Sequence, residues 1–266
     1  MTILETKECN LYYEVHDVTG PWVESPETIL FHHGIGTNSD VWMDWLPMLA
    51  DRYRIVRFDM RGFGRSGVPE DEIPWAMNHL VEDLFSIAEA AGCERFHFVG
   101  ESLGGSIGLC SVLKRPSAFL TVTASNASHF GDSIENVRDW REMIAREGMA
   151  AWSARLMDQR FHADALPLAK REWYSQVQET CAPASVLGAL GVLAEVDICE
   201  DLVKIETPAL ILHPDASPFI SVASATDLHA RLPHSELRVF PHTRHGLPFS
   251  HARQCAETLR DFLSRQ

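Results

Sequence analysis

Short apolar runs alternate along the chain with longer segments in which apolar residues return at three- and four-residue spacing. The runs cover residues 28–32, 53–58, 95–99, 120–124, 209–212 and 237–240, and turn-forming residues bound them. The periodic segments cover residues 75–91, 102–113, 223–232 and 251–263. Such alternation is typical of parallel strands joined by crossover helices. The pattern therefore predicts an α/β fold with a mostly parallel central sheet and helices on both faces.

The pattern changes between residues 132 and 201, where helix-like segments follow one another without a convincing strand. We predict that residues 132–201 form an inserted helical cap over the end of the sheet where the strand-to-helix loops gather. Residues 1–131 and 202–266 would then form the core domain. Most of the large apolar side chains in the insertion, such as Trp152 and Phe161, are expected to pack the cap itself.

Composition and charge narrow the class of partner. The 266 residues, with a mass of 29.9 kDa, are enough for one α/β domain with an insertion. A formal net charge of −14 argues against nucleic-acid and anionic-membrane partners. A small-molecule substrate is therefore expected, and a homo-oligomer remains possible.

Cysteine usage and hydropathy bear on location. The six cysteines form no C-x-x-C pair and are expected to be reduced. Neither a signal-like apolar segment nor a run long enough to span a membrane is evident in the sequence. These features favour a cytoplasmic protein.

The most informative motif is the sequence G-E-S-L-G at residues 100–104, directly after a strand-like run. This G-x-S-x-G pattern is the nucleophile elbow, in which a sharp strand-to-helix turn exposes a serine hydroxyl. Ser102 is therefore the predicted nucleophile. The amides of Leu103 and of Ile35, in the glycine-containing turn at residues 33–36, are predicted to form an oxyanion hole.

A serine hydroxyl needs a base to take its proton. Among 13 histidines, His245 is preferred because it lies in the loop before the terminal helix, in the chain order expected after serine and acid. His242 is the alternative. Asp215 follows a buried-looking strand and is the predicted acid that orients the imidazole, although an aspartate after a proline is also typical of a turn.

Together these motifs resemble those of the α/β-hydrolase superfamily over nearly the whole chain. The matching segments are H-G-I-G at 33–36, D-M-R-G-F-G-R-S at 59–66, G-E-S-L-G-G at 100–105 and the late His245. Within the superfamily the chain is similar to the 3-oxoadipate enol-lactonase group, through G-T-N at 36–38, Trp42, R-E-G-M-A-A at 146–151 and the pair Arg160-Phe161. This resemblance implies a role in the catabolism of aromatic compounds.

The chain departs from that group at two places. The group's acid loop reads Gly-x-x-Asp-Pro, whereas here Ser217 precedes Pro218 and Asp215 lies two positions earlier. Either a shorter loop still brings Asp215 to His245, or the acid has moved or been lost. The cap also has Val137 and Trp140 where the group has a tryptophan and an arginine, which implies an altered substrate.

The sequence thus predicts an enzyme that hydrolyses a small carboxylic ester or lactone through an acyl-enzyme on Ser102. Trp140, His33 and Phe219 are predicted to contact the substrate, and neither a metal nor a cofactor is required. Three alternatives remain: hydrolysis of a carbon–carbon bond in a ring-opened aromatic metabolite, cofactor-free oxygenation, and ligand binding without turnover.

Overall fold

A twisted eight-stranded sheet forms the centre of the molecule in the computed structural model, which describes residues 2–69, 75–134 and 137–266. The sheet order is β1-β2-β4-β3-β5-β6-β7-β8. β2 pairs antiparallel with β1 and β4, and every other pair is parallel. The predicted α/β fold with a mostly parallel sheet is therefore confirmed. The strands are β1 (Thr2–Glu5), β2 (Asn10–His16), β3 (Thr28–His32), β4 (Arg54–Phe58), β5 (Phe96–Glu101), β6 (Phe119–Ser125), β7 (Ala209–Pro214) and β8 (Ser235–Phe240).

Nine α-helices complete the part of the chain that the structure describes. They are α1 (Leu46–Leu49), α2 (Met77–Ala90), α3 (Leu103–Lys114), α4 (Val137–Arg160), α5 (Leu168–Glu179), α6 (Pro183–Ala194), α7 (Val222–Arg231), α8 (Leu247–Ser250) and α9 (Ala252–Leu263). The four predicted crossover helices correspond to α2, α3, α7 and α9, each within two residues at either end. The described part of the predicted helix over 75–91 begins at Met77 rather than at Trp75.

Two hydrophobic clusters lie on opposite faces of the sheet because successive side chains of a strand point in opposite directions. Leu30 of β3 belongs to the cluster that also includes side chains of α2, α3 and α7. Its neighbours Ile29 and Phe31 belong to the second cluster, with Trp45 and side chains of α9. β3 is fully buried, as expected for a strand covered on both faces.

The segment predicted as a cap contains α4, α5 and α6. Gly148 interrupts α4 with φ 81° and ψ 179°, so that α4 consists of two helices joined at this residue. A glycine tolerates this backbone conformation because it has no Cβ. The division of the chain into core and cap at residues 131/132 and 201/202 stays a prediction. Among the described residues no single helix is long and apolar enough to cross a membrane, although α5 and α6, bent by 90°, meet the length and hydropathy criteria as a pair.

The parallel arrangement determines where functional residues can meet. β3, β5, β6, β7 and β8 run in the same direction, so their carboxyl ends lie along one edge of the sheet. In open α/β sheets this edge is where ligands bind. The loops that follow these five strands carry Ile35, Ser102, Asn126, Ser217 and His245, respectively.

Candidate active site

Ser102 occupies a strained turn between β5 and α3. Its φ of 55° and ψ of −122° lie outside the regions that non-glycine residues normally adopt. The neighbouring glycines make the turn possible, because a Cβ on Gly100 would lie 2.4 Å from the carbonyl oxygen of Gly104. A Cβ on Gly104 would lie 2.7 Å from the carbonyl oxygens of His32 and His33. The turn therefore has the geometry of a nucleophile elbow.

His245 is the histidine that the structure brings to Ser102. It lies in the loop between β8 and α8, and its Nε2 is 3.3 Å from Ser102 Oγ. The side-chain amide of Asn126, after β6, donates a hydrogen bond to the His245 carbonyl oxygen and anchors this loop. His242 is exposed, and its backbone amide donates to Asp215. The separation between Ser102 and His245 is long for a hydrogen bond, which is common in a site without substrate.

The imidazole of His245 is held in its neutral form. Burial places the pKa of His245 well below the ordinary value for histidine, and the positive charge of Arg160 and the ring of His213 lower it further. A neutral imidazole can accept the Ser102 proton at Nε2, which leaves the ring hydrogen on Nδ1. His245 is therefore in the protonation state that a general base requires.

The structure does not bring Asp215 to His245. The two carboxylate oxygens of Asp215 accept hydrogen bonds from the backbone amides of His242 and Thr243, at 2.9 Å and 3.0 Å. These bonds lower the pKa of the Asp215 carboxyl, and they join the loop after β7 to the loop after β8. Asp215 directly follows β7, so its side chain makes these hydrogen bonds at the start of the loop rather than further along it. The geometry thus matches the turn role of Asp215 and not the expected triad contact.

Ser217 lies where the triad carboxylate was expected. Its Oγ is 3.2 Å from Nδ1 of His245, and it also accepts hydrogen bonds from the backbone amides of Phe219 and Ile220, both at 3.3 Å. A serine hydroxyl can orient the ring, but it carries no charge to stabilise an imidazolium. The signal was present in the sequence, because Ser217 precedes Pro218 at the position of the acid in the enol-lactonase pattern.

The two predicted oxyanion donors flank the elbow. Leu103 begins α3, so its amide is one of the unpaired donors at a helix N-terminus. Ile35 follows β3 in a turn where Gly36 has φ 79°. A Cβ on Gly34 would lie 3.1 Å from the Cβ of Ser102, which shows how closely this turn approaches the nucleophile. Within the described part of the chain neither the Ile35 nor the Leu103 amide donates to a protein acceptor.

Of the three residues predicted to contact a substrate, two line the cavity at Ser102 and one does not. The rings of Trp140 and Phe219 lie 4.7 Å apart, and Phe219 also packs against His245 at 4.7 Å. His33 is fully buried; its Nδ1 lies 2.8 Å from the Gly34 carbonyl oxygen, and its Nε2 accepts from the Met60 amide at 2.9 Å. His33 therefore holds the loops after β3 and β4 together.

The cavity is small. Besides Ser102 and His245, it is lined by Arg160 and by apolar side chains of α4, α6 and the loop after β7, including Trp152 and Leu190. Its volume of about 20 Å³ is enough for a water molecule. Entry of a larger substrate therefore requires displacement of the side chains of α4 and α6. In residues 2–69, 75–134 and 137–266 no three histidine, cysteine or carboxylate side chains cluster as metal ligands.

The fold and the elbow together define a class of protein. The family model for the alpha/beta hydrolase fold matches residues 27–252, and the chain belongs to this family. The predicted resemblance to α/β-hydrolases is confirmed, and the chain is a hydrolase.

Particular relatives span most of the chain. The chain is 29% identical over 256 residues to a putative carbamate hydrolase RutD from Agrobacterium fabrum, covering 89% of this chain and 92% of the relative. It is 27% identical over 222 residues to 3-oxoadipate enol-lactonase 1 from Acinetobacter baylyi, covering 77% and 76%. The solved enol-lactonase of Burkholderia xenovorans LB400 superposes with a TM-score of 0.90 at 19% identity, covering 99% of this chain and 100% of that one. This last likeness concerns the fold alone.

Proposed function

We propose that the protein hydrolyses a small carboxylic ester or lactone through an acyl-enzyme on Ser102. The observation that carries the proposal is the approach of His245 Nε2 to within 3.3 Å of Ser102 Oγ at a strained elbow. The names of the relatives support it, since a carbamate hydrolase, an enol-lactonase and a methyl ester esterase all act on a carbonyl bonded to a heteroatom.

In the first half of the reaction, Ser102 Oγ attacks the carbonyl carbon while its proton passes to His245 Nε2. The carbonyl oxygen becomes negative, and the amides of Ile35 and Leu103 donate hydrogen bonds to it. Loss of one such donor typically costs about 3 to 4 kcal/mol of transition-state stabilisation. The imidazolium then gives its proton to the leaving oxygen, and the bond between that oxygen and the carbonyl carbon breaks.

In the second half, a water molecule attacks the acyl-enzyme and passes its proton to His245 Nε2. The tetrahedral intermediate collapses, Ser102 Oγ takes the proton back, and the carboxylic acid is released. The apolar walls of α4 and α6 limit the water that reaches the acyl-enzyme. Ser217, in place of a carboxylate, keeps the Nδ1 side of the ring hydrogen-bonded throughout.

The test is the intact mass of the protein after brief exposure to a small fluorophosphonate. We expect one covalent adduct on the wild-type chain and none on Ser102→Ala, because the reagent phosphonylates only an activated serine. Ser106, also buried and in the first turn of α3, the helix that directly follows Ser102, provides a matched control: Ser106→Ala should still be labelled. An unlabelled wild-type chain would argue for ligand binding without turnover or for oxygenation, and hydrolysis of simple esters by Ser102→Ala would also contradict the proposal.

A further inference from the structure

Arg160 is a buried cation in the wall of the Ser102 cavity. It is the last residue of α4, and only 5% of its surface is exposed. One nitrogen, Nη2, donates a hydrogen bond of 2.9 Å to the Ile35 carbonyl oxygen, next to the predicted oxyanion amide. In the sequence, Arg160 contributed only to the resemblance to the enol-lactonase group, and no role was predicted for its charge.

The other two nitrogens of the Arg160 guanidinium have no hydrogen-bond acceptor among the described residues. Both Nε and Nη1 are buried without a hydrogen-bond partner. The Oε1 atom of Glu101 lies 3.9 Å from Nη1, beyond hydrogen-bond distance, and this oxygen is also buried without a partner. Because a guanidinium stays charged at every physiological pH, burying its N–H groups unpaired is unfavourable. An arrangement of this kind is stabilised when an acceptor enters the site.

The chemistry of the cavity selects the acceptor. Arg160 is the one charged side chain among the described residues that line it, and apart from Ser102 and His245 the other lining side chains are apolar. Guanidinium groups bind planar two-oxygen anions with several hydrogen bonds at once. Glu101 neutralises the charge of Arg160 only in part, because burial raises the pKa of its carboxyl. The charge of Arg160 and the Gly34 amide act on this pKa in the opposite direction.

We propose that Arg160 binds a free carboxylate of the substrate, so that the ester or lactone hydrolysed at Ser102 is an anion. This inference rests on the proposed function, because it places the carboxylate in the same cavity as the scissile carbonyl. It narrows the substrate class to half-esters and carboxyl-bearing lactones. The alternative is that Arg160 only holds α4 against the oxyanion turn through Ile35, and in that case the charge of the substrate has no effect.

Binding is measured in the Ser102→Ala protein, so that no turnover is needed. The probes are monomethyl succinate and dimethyl succinate, which differ by one charged carboxylate. By calorimetric titration we expect the Ser102→Ala protein to bind the monoester more tightly than the diester. Adding Arg160→Met to this protein should weaken binding of the monoester by about 30-fold or more. The affinity for the diester should change by less than about threefold. Arg160→Lys keeps the charge, so its affinity for the monoester should lie between those of the Ser102→Ala protein with Arg160 and with Arg160→Met.

Two results would overturn the inference: equal or absent binding of the two esters by the Ser102→Ala protein, and equal weakening of both by Arg160→Met. If Arg160→Met does not fold, as judged by circular dichroism, two measurements still test the inference. They are the affinities of the Ser102→Ala protein for the two esters and the effect of Arg160→Lys on them. Fluorophosphonate labelling of the wild-type chain reports separately on the proposed function. Tighter binding of the monoester without labelling would support the anion site and contradict the hydrolase mechanism. Labelling with equal binding of the two esters would support the hydrolase mechanism and contradict the anion site.

Discussion

Replacing Ser217 by aspartate is expected to increase ester hydrolysis. The Ser217 Oγ lies 3.2 Å from His245 Nδ1 and accepts hydrogen bonds from the Phe219 and Ile220 amides. An aspartate at this position has two carboxylate oxygens, so one can keep the hydrogen bonds from the two amides while the other accepts a hydrogen bond from Nδ1. The substitution therefore adds a charge at the place where the site lacks one, without removing the bonds that shape the loop.

The magnitude follows from the distance. At a charge separation of about 4 Å and an effective dielectric constant of about 20, a carboxylate and an imidazolium attract each other by about 4 kcal/mol. This corresponds to a rise of about three units in the pKa of His245. Removing the carboxylate from a serine-protease triad lowers kcat by about 10⁴-fold. We therefore expect Ser217→Asp to raise kcat/KM by about 10²- to 10⁴-fold.

The assay is the pH dependence of kcat/KM for a chromogenic half-ester, with Ser217→Asn as the uncharged control of equal size. Because the wild-type pKa of His245 is lowered, its activity should persist well below pH 6.5. In Ser217→Asp the acidic limb should move to higher pH while the plateau rises. A folded Ser217→Asp protein no faster than Ser217→Asn would refute the reasoning, because the missing charge would then not limit the reaction.

Three further predictions follow from the same geometry. Asp215→Ala should lower the free energy of unfolding by about 1 to 3 kcal/mol in urea titrations through loss of two amide bonds, with ester turnover kept within about tenfold; a loss near 10⁴-fold would restore Asp215 as the acid. Acidification should destabilise the fold, because the pKa values of His213 and His32 are lowered from 6.5 to about 4 and about 3, so the unfolded chain binds these protons first. Urea midpoints should therefore fall between pH 7 and pH 4, by less in His213→Gln, and a flat profile would contradict this. Glu101→Gln, in the Ser102→Ala protein, should strengthen binding of monomethyl succinate and leave dimethyl succinate unchanged, because it removes the carboxylate near Arg160; weaker binding of the monoester would show that Glu101 does not oppose the anion.

Local patterns were sufficient to predict the strands from β3 to β8 but not the antiparallel pair β1 and β2. The runs that became β3 to β8 are mostly apolar because both faces of most of these strands are covered. β1 and β2 were missed, since β1 is largely exposed at the sheet edge and supplies no clear apolar run. The turn between them also lacks glycine: Thr6 instead closes it by hydrogen bonds with Cys9 and the Glu8 amide.

The site shows the same limit. Ser102 and His245 could be chosen because a local motif and chain order identify them, and the structure brings their side chains together. The acid could not be chosen this way, because a two-residue shift in the loop after β7 decides which side chain reaches Nδ1. Arg160 contributed to the resemblance to the enol-lactonase group, but no role was predicted for it: its importance comes from burial and from donors left without acceptors, which only the packed structure reveals.

The missing carboxylate and the buried arginine belong to one electrostatic problem. The reaction requires a proton on His245, yet the site surrounds this ring with apolar walls and a guanidinium that disfavour the charged form. A triad acid would normally offset that penalty. Here a substrate carboxylate bound at Arg160 would neutralise the guanidinium beside the ring and make His245 a stronger base in the complex than in the free protein. Substrate charge would then contribute to kcat as well as to binding, and a neutral ester that fits the cavity equally well would still react slowly.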